Sequence, residues 1–335
     1  MSVLILGAAG YVGSVLCRKL LDKKHNVIAV DKGFFGFDGL KDLEDNENIK
    51  IVKKDGFDLT GEDLSSCDCF INISGLSNDP MADFNPELNF KLNTELTEFT
   101  AKLCKTYAVS KYIFGSTASI YDFGFVNENQ DVLMTETSHV DPVKFYSLSK
   151  YRAEQKLLEL ADKDFKPIIL RKATICGYSP RMRYDLVVNT FVKDALKNKK
   201  LKLNGGGENW RPLIDVNDMC EIYARCVLLD KTGIYNAVGY NIRISELALR
   251  TFSILKEMGH DLAISCDYLF PKSEIRNYRV DGTKLRNEIH YQPPTAVETS
   301  IKQMLLNIEN VSDFDNPIYY NIAWTKQFLQ HWLKY

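Results

Sequence analysis

The chain has 335 residues, of which 45% are hydrophobic and 26% charged, a balance typical of a globular protein and not of a disordered one. Its formal net charge of -2 offers no positive field for nucleic acid or an anionic membrane. The sequence also lacks an apolar run of the ~18 residues that a membrane span needs. We therefore expect small-molecule partners, no nucleic acid and no membrane.

The N-terminus and the cysteines bear on the cell compartment. Met1 leads directly into an apolar run at 3–6, without the basic region or cleavage site of a secretory signal, so we expect a cytoplasmic protein. Cys67 and Cys69 lie close together, but no Cys/His group elsewhere completes a metal set. We predict no metal site and cysteines that are mostly small buried thiols.

The first chemical motif is a glycine-rich turn. The apolar run at 3–6 stops at Gly7-Ala-Ala-Gly10-Tyr-Val-Gly13, after which apolar residues recur at helical spacing. This order predicts a strand, a tight turn and a helix. Glycines let a backbone approach a pyrophosphate closely, and the free N–H groups of the first helical turn favour the same anion. The turn therefore predicts a dinucleotide site.

A second strand, predicted at 26–30, ends in Asp31. A carboxylate about 20 residues after such a turn accepts the ribose hydroxyls of NAD and repels the 2'-phosphate of NADP. Lys32 follows directly and weakens that discrimination. We expect NAD as the cofactor.

Strand and helix patterns alternate through the first half of the chain. Strands are predicted at 49–53, 69–73, 111–114 and 167–170, and helices at 86–107 and 146–161. This alternation favours an α/β fold with a doubly wound parallel Rossmann sheet, whose ligands gather at the carboxyl ends of the strands.

Shorter elements, interrupted by glycine and proline turns, begin after about residue 174. We predict an NAD-binding domain with the catalytic residues over 1–173. A smaller lobe over 174–335 is expected to bind mainly substrate and can return one or two elements to the sheet.

Tyr146 and Lys150 lie four residues apart on the predicted helix, which places the phenol and the ammonium on one face. A nearby cation favours the phenolate, so such a tyrosine becomes usable in proton transfer near neutral pH. Taken alone, the pair is more often a surface contact.

The second lobe is rich in arginines near aromatic and turn residues. Arginine forks match phosphate oxygens bidentately, so a substrate diphosphate would explain this density. The residues concerned are Arg181, Arg183, Arg211, Arg276 and Arg279.

Together these residues resemble the extended short-chain dehydrogenase/reductase superfamily, and within it the NAD-dependent nucleotide-sugar epimerases and dehydratases. The resemblance covers essentially the whole chain and includes Asn72-Ile-Ser-Gly-Leu76, Asn93 and the segment 112–121. The cofactor residues that it implies are Gly7, Gly10, Tyr11, Val12, Gly13, Asp31, Lys32, Asp55, Gly56, Ser74, Gly75, Leu76, Asn93, Tyr146 and Lys150.

The same resemblance implies a catalytic set of Thr117, Tyr146 and Lys150. In this family the Lys holds the nicotinamide ribose and lowers the pKa of the Tyr, while the Thr or Ser hydroxyl orients the reacting sugar oxygen. Tyr146 is then expected to remove the proton from the sugar 4-hydroxyl as the C4 hydride passes to NAD.

Two departures from the family pattern refine the expected reaction. Asp122 replaces a glycine after Tyr121, which we interpret as a local loop difference. Ala118 and Ser119 stand where the family's 4,6-dehydratases carry Asp-Glu and its decarboxylases carry Glu. Elimination of water needs an acid and a base. Thr-Ala-Ser-Ile-Tyr instead is similar to the pattern of UDP-galactose 4-epimerases.

The resemblance therefore implies a 4-epimerase that works through a 4-keto sugar. A 4-dehydrogenase or a 4-ketoreductase is the alternative, and a 4,6-dehydratase or decarboxylase is less favoured. Another class, an NAD-binding sensor or scaffold without chemistry, remains open, although such proteins typically lose the Tyr or the Lys.

The expected partner is a nucleoside-diphosphate sugar. By resemblance, its binding residues are Thr117, Asn189, Arg211, Arg276 and Tyr278. The apolar residues of the helices at 86–107 and 146–161 exceed what one sheet contact needs, and the equivalent helices pair across a two-fold axis in this family. We expect a homodimer through a four-helix contact.

Overall fold

The structure is a computed structural model that describes residues 1–122, 132–271, 275–308 and 313–332. The strands in these residues are, in chain order, Ser2–Leu6 (β1), Asn26–Asp31 (β2), Ile49–Lys53 (β3), Cys69–Asn72 (β4), Lys111–Thr117 (β5), Leu133–Met134 (β6), Lys166–Lys172 (β7), Thr174–Cys176 (β8), Lys200–Asn204 (β9), Trp210–Asp215 (β10), Gly233–Ala237 (β11), Tyr240–Arg243 (β12), Ala263–Asp267 (β13) and Arg279–Val280 (β14). The α-helices are Tyr11–Asp22 (α1), Asp79–Phe84 (α2), Pro86–Phe90 (α3), Leu96–Thr106 (α4), Phe145–Leu160 (α5), Val187–Asn198 (α6), Val216–Cys226 (α7), Ile244–Glu257 (α8), Thr283–Ile289 (α9), Val297–Ile308 (α10) and Asn321–Trp332 (α11).

The main sheet has seven parallel strands in the order β11-β7-β5-β4-β1-β2-β3 within the described residues. The strand order reverses between β1 and β4, and ligands of open parallel sheets bind in the crevice beyond such a reversal. This topology confirms the predicted doubly wound Rossmann sheet.

Strand β1 shows why the sheet is covered on both faces. Val3, Leu4 and Ile5 are fully buried, as expected for a parallel strand between two helical layers. Because successive side chains point to opposite faces, Val3 and Ile5 join the core that contains α1 and α7, whereas Leu4 and Leu6 join the core that contains α4 and α5.

The described residues from 174 onward form two small sheets, β12-β10-β8 and β13-β9, and β14 pairs with β6 of the first half of the chain. This part of the chain also sends β11 back to the main sheet, where β11 pairs in parallel with β7. The chain leaves the main sheet after β7, which lies between β11 and β5, and β8 follows β7 after one residue. No helix in the described residues is long and apolar enough to cross a membrane.

The helix predicted at 86–107 is interrupted. It begins at Pro86, with Asn85 accepting the Leu88 N–H at 2.9 Å, and it changes to a π-helical turn over Lys91–Glu95 before α4. A π turn inserts an extra residue and is frequent at functional sites. Here it carries Asn93.

Candidate active site

The glycine turn between β1 and α1 is closely packed. Gly7 has a φ of 95°, and a Cβ there would lie 2.9 Å from the Ser74 nitrogen. A Cβ on Gly13 would come within 2.6 Å of the Ala8 carbonyl oxygen. The turn therefore needs glycine at both positions. It leads into the first turn of α1 and lines the main cavity, so it fits the pyrophosphate of a dinucleotide.

Tyr11 has two roles in this turn. Its backbone opens α1, whereas its buried phenol donates to the Gly177 carbonyl oxygen at 2.6 Å and accepts from the Asn189 amide at 3.2 Å. These two hydrogen bonds attach the glycine turn to the second lobe. Val12 lines the cavity beside it.

Asp31 ends β2 beside the glycine turn. Its carboxylate accepts the N–H of Gly33 at 2.8 Å and of Ala9 at 3.1 Å. Burial raises the pKa of Asp31, and these two hydrogen bonds act in the opposite direction. Lys32 instead donates to Asp55 at 3.2 Å, so its charge is balanced by that carboxylate. Gly56 packs against Leu96 and Leu6.

The loop after β4 is held from two sides. Gly75 lines the cavity with a φ of 110°, and a Cβ there would clash with the Asn93 side chain. The Asn93 amide donates to the Leu76 carbonyl oxygen at 3.1 Å and to the Ser149 hydroxyl at 3.1 Å. Asn93 is fully buried, so it positions the loop and α5 and does not face the cavity.

The hydroxyl groups of Thr117 and Tyr146 meet at the cavity wall. Thr117 ends β5, and its Oγ1 accepts the Ser119 N–H at 3.1 Å and lies 2.9 Å from the Ser119 hydroxyl. Burial raises the pKa of Tyr146, while a hydrogen bond with Thr117 lowers it. The positive charges of Arg276 and Arg183 also lower it. The predicted pair is therefore assembled.

Lys150 lies one turn after Tyr146 on α5 and is buried. Its ammonium donates to the Ser74 carbonyl oxygen at 3.4 Å and lies 4.8 Å from the centroid of the Phe114 ring. Burial lowers the pKa of Lys150 well below its usual range, and neighbouring Lys172 lowers it further. Lys150 thus connects α5 to the cofactor loop after β4.

Lys172, at the end of β7, was not identified from the sequence. It pairs with Thr117 in the strand ladder and lines the cavity. Its ammonium occupies the space beside Gly115, where a Cβ would lie 2.6 Å away. Burial lowers the pKa of Lys172 to about 8. In the sequence it reads as an ordinary polar residue after an apolar strand, so no local signal marks it.

A buried ion pair connects the strand that ends in Thr117 to α5, the helix that carries Tyr146 and Lys150. Arg171 on β7 donates to Glu154 on α5 at 2.7 Å, and both side chains are almost fully buried. Glu154 also accepts from the Ser116 hydroxyl, and Arg171 donates to the Tyr121 hydroxyl at 2.8 Å. This network joins β5, β7 and α5. Its members are far apart in sequence, which left them undetected.

The cavity has a volume of about 730 Å³ and extends from the glycine turn into the second lobe. Arg211 and Tyr278 line it, with the Arg211 guanidinium 5.6 Å from the centroid of the Tyr278 ring. Arg211 donates to the Thr174 hydroxyl at 3.1 Å. No carboxylate of the described residues forms an ion pair with Arg211, so its charge is open to an anion in the cavity.

Arg276 also lines the cavity, but its charge is already balanced. It pairs with Asp79, and its Nε lies 3.5 Å from Asp122. Asp122, interpreted from sequence as a loop difference, is therefore part of a buried charge cluster. Burial raises its pKa, and Arg276 lowers it.

Asn189 is placed differently from its predicted substrate contact. It is fully buried, donates to Tyr11 and to the Arg183 carbonyl oxygen, and accepts the Gly177 N–H. Its polar atoms are used within the protein, and it is not part of the cavity wall described above. Arg183 lines the cavity instead, in a two-bond pair with Asp185 at 2.8 and 3.0 Å.

Comparison with known proteins finds relatives that are named as nucleotide-sugar enzymes. A relative named as an uncharacterized UDP-glucose epimerase of Bacillus subtilis is 27% identical over 322 residues, covering 90% of this chain and 96% of its own. A dTDP-D-glucose 4,6-dehydratase of Dictyostelium discoideum is 28% identical over 264 residues, covering 73% of this chain and 59% of its own.

Solved structures share the fold. UDP-glucuronic acid 4-epimerase from Bacillus cereus, in complex with UDP-glucuronic acid and NAD, superposes with a TM-score of 0.80 at 21% identity and covers 93% of this chain and 100% of its own. The model of the NAD dependent epimerase/dehydratase family matches residues 3–238, which include the glycine turn and all three predicted catalytic residues. The chain is therefore an enzyme of the NAD dependent epimerase/dehydratase family and uses NAD as its cofactor.

Proposed function

We propose that the protein is a 4-epimerase of a nucleoside-diphosphate sugar. The observation that carries the proposal is the placement of Thr117 and Tyr146 together on the cavity wall, where Thr117 is followed by two residues without a carboxylate. Bound NAD would supply the hydride acceptor for the sugar C4. Everything else in the reaction is assigned to side chains of this chain.

Tyr146 takes the proton of the sugar 4-hydroxyl and later returns it. Burial is the largest influence and raises the pKa of Tyr146 above its ordinary value; Thr117, Arg276 and Arg183 act in the opposite direction, and Asp79 adds to the rise. A base must lie within hydrogen-bond reach of the proton that it removes, and Thr117 is placed to hold the same sugar oxygen. Lys150 orients the ribose of the cofactor.

The residues after Thr117 argue against elimination. Ala118 is fully buried, and the Ser119 hydroxyl forms a hydrogen bond with the Thr117 hydroxyl at 2.9 Å. The carboxylates of Asp79 and Asp185 reach the cavity wall, but each is paired with an arginine. Loss of water from the sugar needs a free acid as well as a base. An epimerase needs only the single tyrosine.

Arg211 is the proposed ligand of the substrate diphosphate, because it lines the cavity and keeps an unpaired charge among the described residues. Tyr278, which faces the same cavity, borders the nucleotide or the sugar. Arg276 is paired with Asp79 and lies 3.5 Å from Asp122, and its positive charge also acts on Tyr146.

The test is a panel of UDP-, GDP- and dTDP-sugars incubated with purified protein, with products analysed by NMR and bound cofactor followed at 340 nm. A 4-epimerase converts one sugar into its C4 epimer without net consumption of NAD. Stoichiometric NADH formation would instead indicate a 4-dehydrogenase, and NADH-dependent loss of a 4-keto sugar a 4-ketoreductase. A 4-keto-6-deoxy product or release of carbon dioxide would overturn the argument from Ala118 and Ser119. Absence of turnover with every sugar would favour an NAD-binding sensor or scaffold without chemistry.

A further inference from the structure

Arg181 is a buried cation at the cofactor end of the cavity. It lies between β8 and α6, is 7% exposed and lines the cavity together with the glycine turn. Its Nη2 donates to the Ile318 carbonyl oxygen at 3.2 Å and to Asn321 Oδ1 at 2.8 Å. Its Nε is buried without a hydrogen-bond partner. Part of the guanidinium is therefore unsatisfied.

The carboxylates of Asp185 and Asp31 lie near enough to raise the pKa of Arg181, but neither forms an ion pair with it. No carboxylate of the described residues forms an ion pair with it, in contrast to Arg183 and Arg276. Burial is the largest influence and, together with the positive charge of Arg183, lowers the pKa of Arg181 to about 9. A buried cation without a partner is costly, and an anion that enters the cavity would remove the cost.

The position of Arg181 indicates which anion this is. A Cβ on Gly39 would lie 3.1 Å from the Arg181 Cβ and 3.3 Å from the Ser14 Cβ, so Arg181 sits beside α1. Its guanidinium lies 3.8 Å from the centroid of the Phe35 ring, in the loop that follows Asp31. Arg211 instead lies beside Thr174 and Tyr278.

The C-terminal helix holds Arg181 in this place. Besides accepting from Arg181, Asn321 donates to the Ser77 hydroxyl at 2.7 Å. The Trp324 indole donates to the Phe34 carbonyl oxygen, and the Phe34 and Phe328 rings lie 4.4 Å apart. We call Phe34, Phe35, Arg181, Asn321 and Trp324 the C-terminal clasp.

We propose that Arg181 binds the diphosphate of the cofactor together with the glycine turn, and that the C-terminal clasp thereby slows loss of the cofactor. The second lobe and the C-terminal helix would then contribute to cofactor binding as well as to substrate binding. This inference does not depend on which sugar reaction the enzyme performs.

The experiment uses calorimetry on the full chain after removal of bound cofactor, with ADP, adenosine and UDP as probes. Arg181→Met should weaken ADP binding about tenfold or more, because a buried charge-assisted contact is lost, and should leave adenosine and UDP within about twofold. Arg211→Met is the matched control and should weaken UDP but not ADP.

Asn321→Ala tests the clasp while keeping Arg181, and it serves if Arg181→Met does not fold. We expect NAD to dissociate from this variant at least about threefold faster in stopped-flow fluorescence. Arg181→Met that weakens UDP and spares ADP would assign Arg181 to the substrate and overturn the proposal. Equal ADP affinity in folded Arg181→Met, or unchanged NAD dissociation from folded Asn321→Ala, would also overturn it.

Discussion

Tyr146 is surrounded by charges of both signs, and its hydroxyl is the group on which the proposed reaction depends. Tyr146→Phe removes only this hydroxyl and preserves the ring. We expect NAD binding to be unchanged and hydride transfer to slow by roughly 10²-fold or more, measured in single turnover. Turnover that survives Tyr146→Phe would exclude the tyrosine as the base.

Lys150→Met gives the contrasting result. The Lys150 ammonium touches the loop after β4 and is expected to bond the ribose, so its loss should weaken NAD binding as well as the rate. Calorimetry with NAD separates the two variants. Equal NAD affinity in Lys150→Met and the unmodified protein would contradict this role.

We expect Asp31 to determine the choice between NAD and NADP. Its carboxylate is held by the N–H groups of Gly33 and Ala9, and Lys32 is paired with Asp55, which leaves the negative charge of Asp31 at the ribose position. We expect NAD to bind at least about tenfold more tightly than NADP, or roughly 1.4 kcal/mol. Calorimetric titration of both cofactors measures this difference, and equal dissociation constants would contradict it.

Lys172 makes stability depend on pH. Its pKa is about 8 in the folded protein and 10.5 in an ordinary lysine, so the unfolded chain binds more protons between these values. The free energy of unfolding should therefore rise with pH in this window. Urea unfolding of the cofactor-free protein should show a rise between about pH 7.5 and pH 9.5 that is smaller by about 1–2 kcal/mol in Lys172→Met, where the contribution of Lys150 remains. The same rise in both proteins would assign it to other groups.

At the scale of elements, the π turn between α3 and α4 connects the loop after β4 to α5. Its Asn93 amide contacts Leu76, Asn89 and Ser149. Asn93→Ala should lower the free energy of unfolding by about 2–3 kcal/mol in urea, because buried partners lose their hydrogen bonds. Asn198→Ala, on the exposed end of α6, is the control and should cost less than about 0.5 kcal/mol. Equal costs in the two variants would contradict the connecting role.

At the scale of the whole molecule, fewer apolar residues of the two helices are exposed for a dimer contact than the sequence indicated. Leu96 and Leu157 are buried in the protein's own core, so they are not available to a partner. Leu158 and Phe145 on α5 are 36% and 43% exposed. We expect a dimer in light scattering, and Leu158→Asp should reduce its mass to that of a monomer. Leu249→Asp, at an exposed leucine of α8, should leave the mass unchanged; a monomeric unmodified protein would refute the dimer.

The sequence by itself determined the features that local spacing encodes. The glycine turn, Asp31 at a strand end, and Tyr146 four residues before Lys150 each depend on one strand, turn or helix, whose period is readable over a short window. The order of strands and helices then restricts the sheet to a few topologies, and the observed sheet is the one expected.

Only the tertiary structure decided how the charges are paired. Arg276 and Asp79 are 197 positions apart, and Arg181 and Asn321 are 140 apart, so neither contact has a local pattern. The five arginines of the second lobe that lie near aromatic and turn residues look alike in sequence. Packing buries Arg276 against two carboxylates, pairs Arg183 with Asp185, and leaves Arg211 and Arg181 without a carboxylate among the described residues. Because the free energy of a buried charge is determined by the groups that surround it, this difference arises only when distant segments meet.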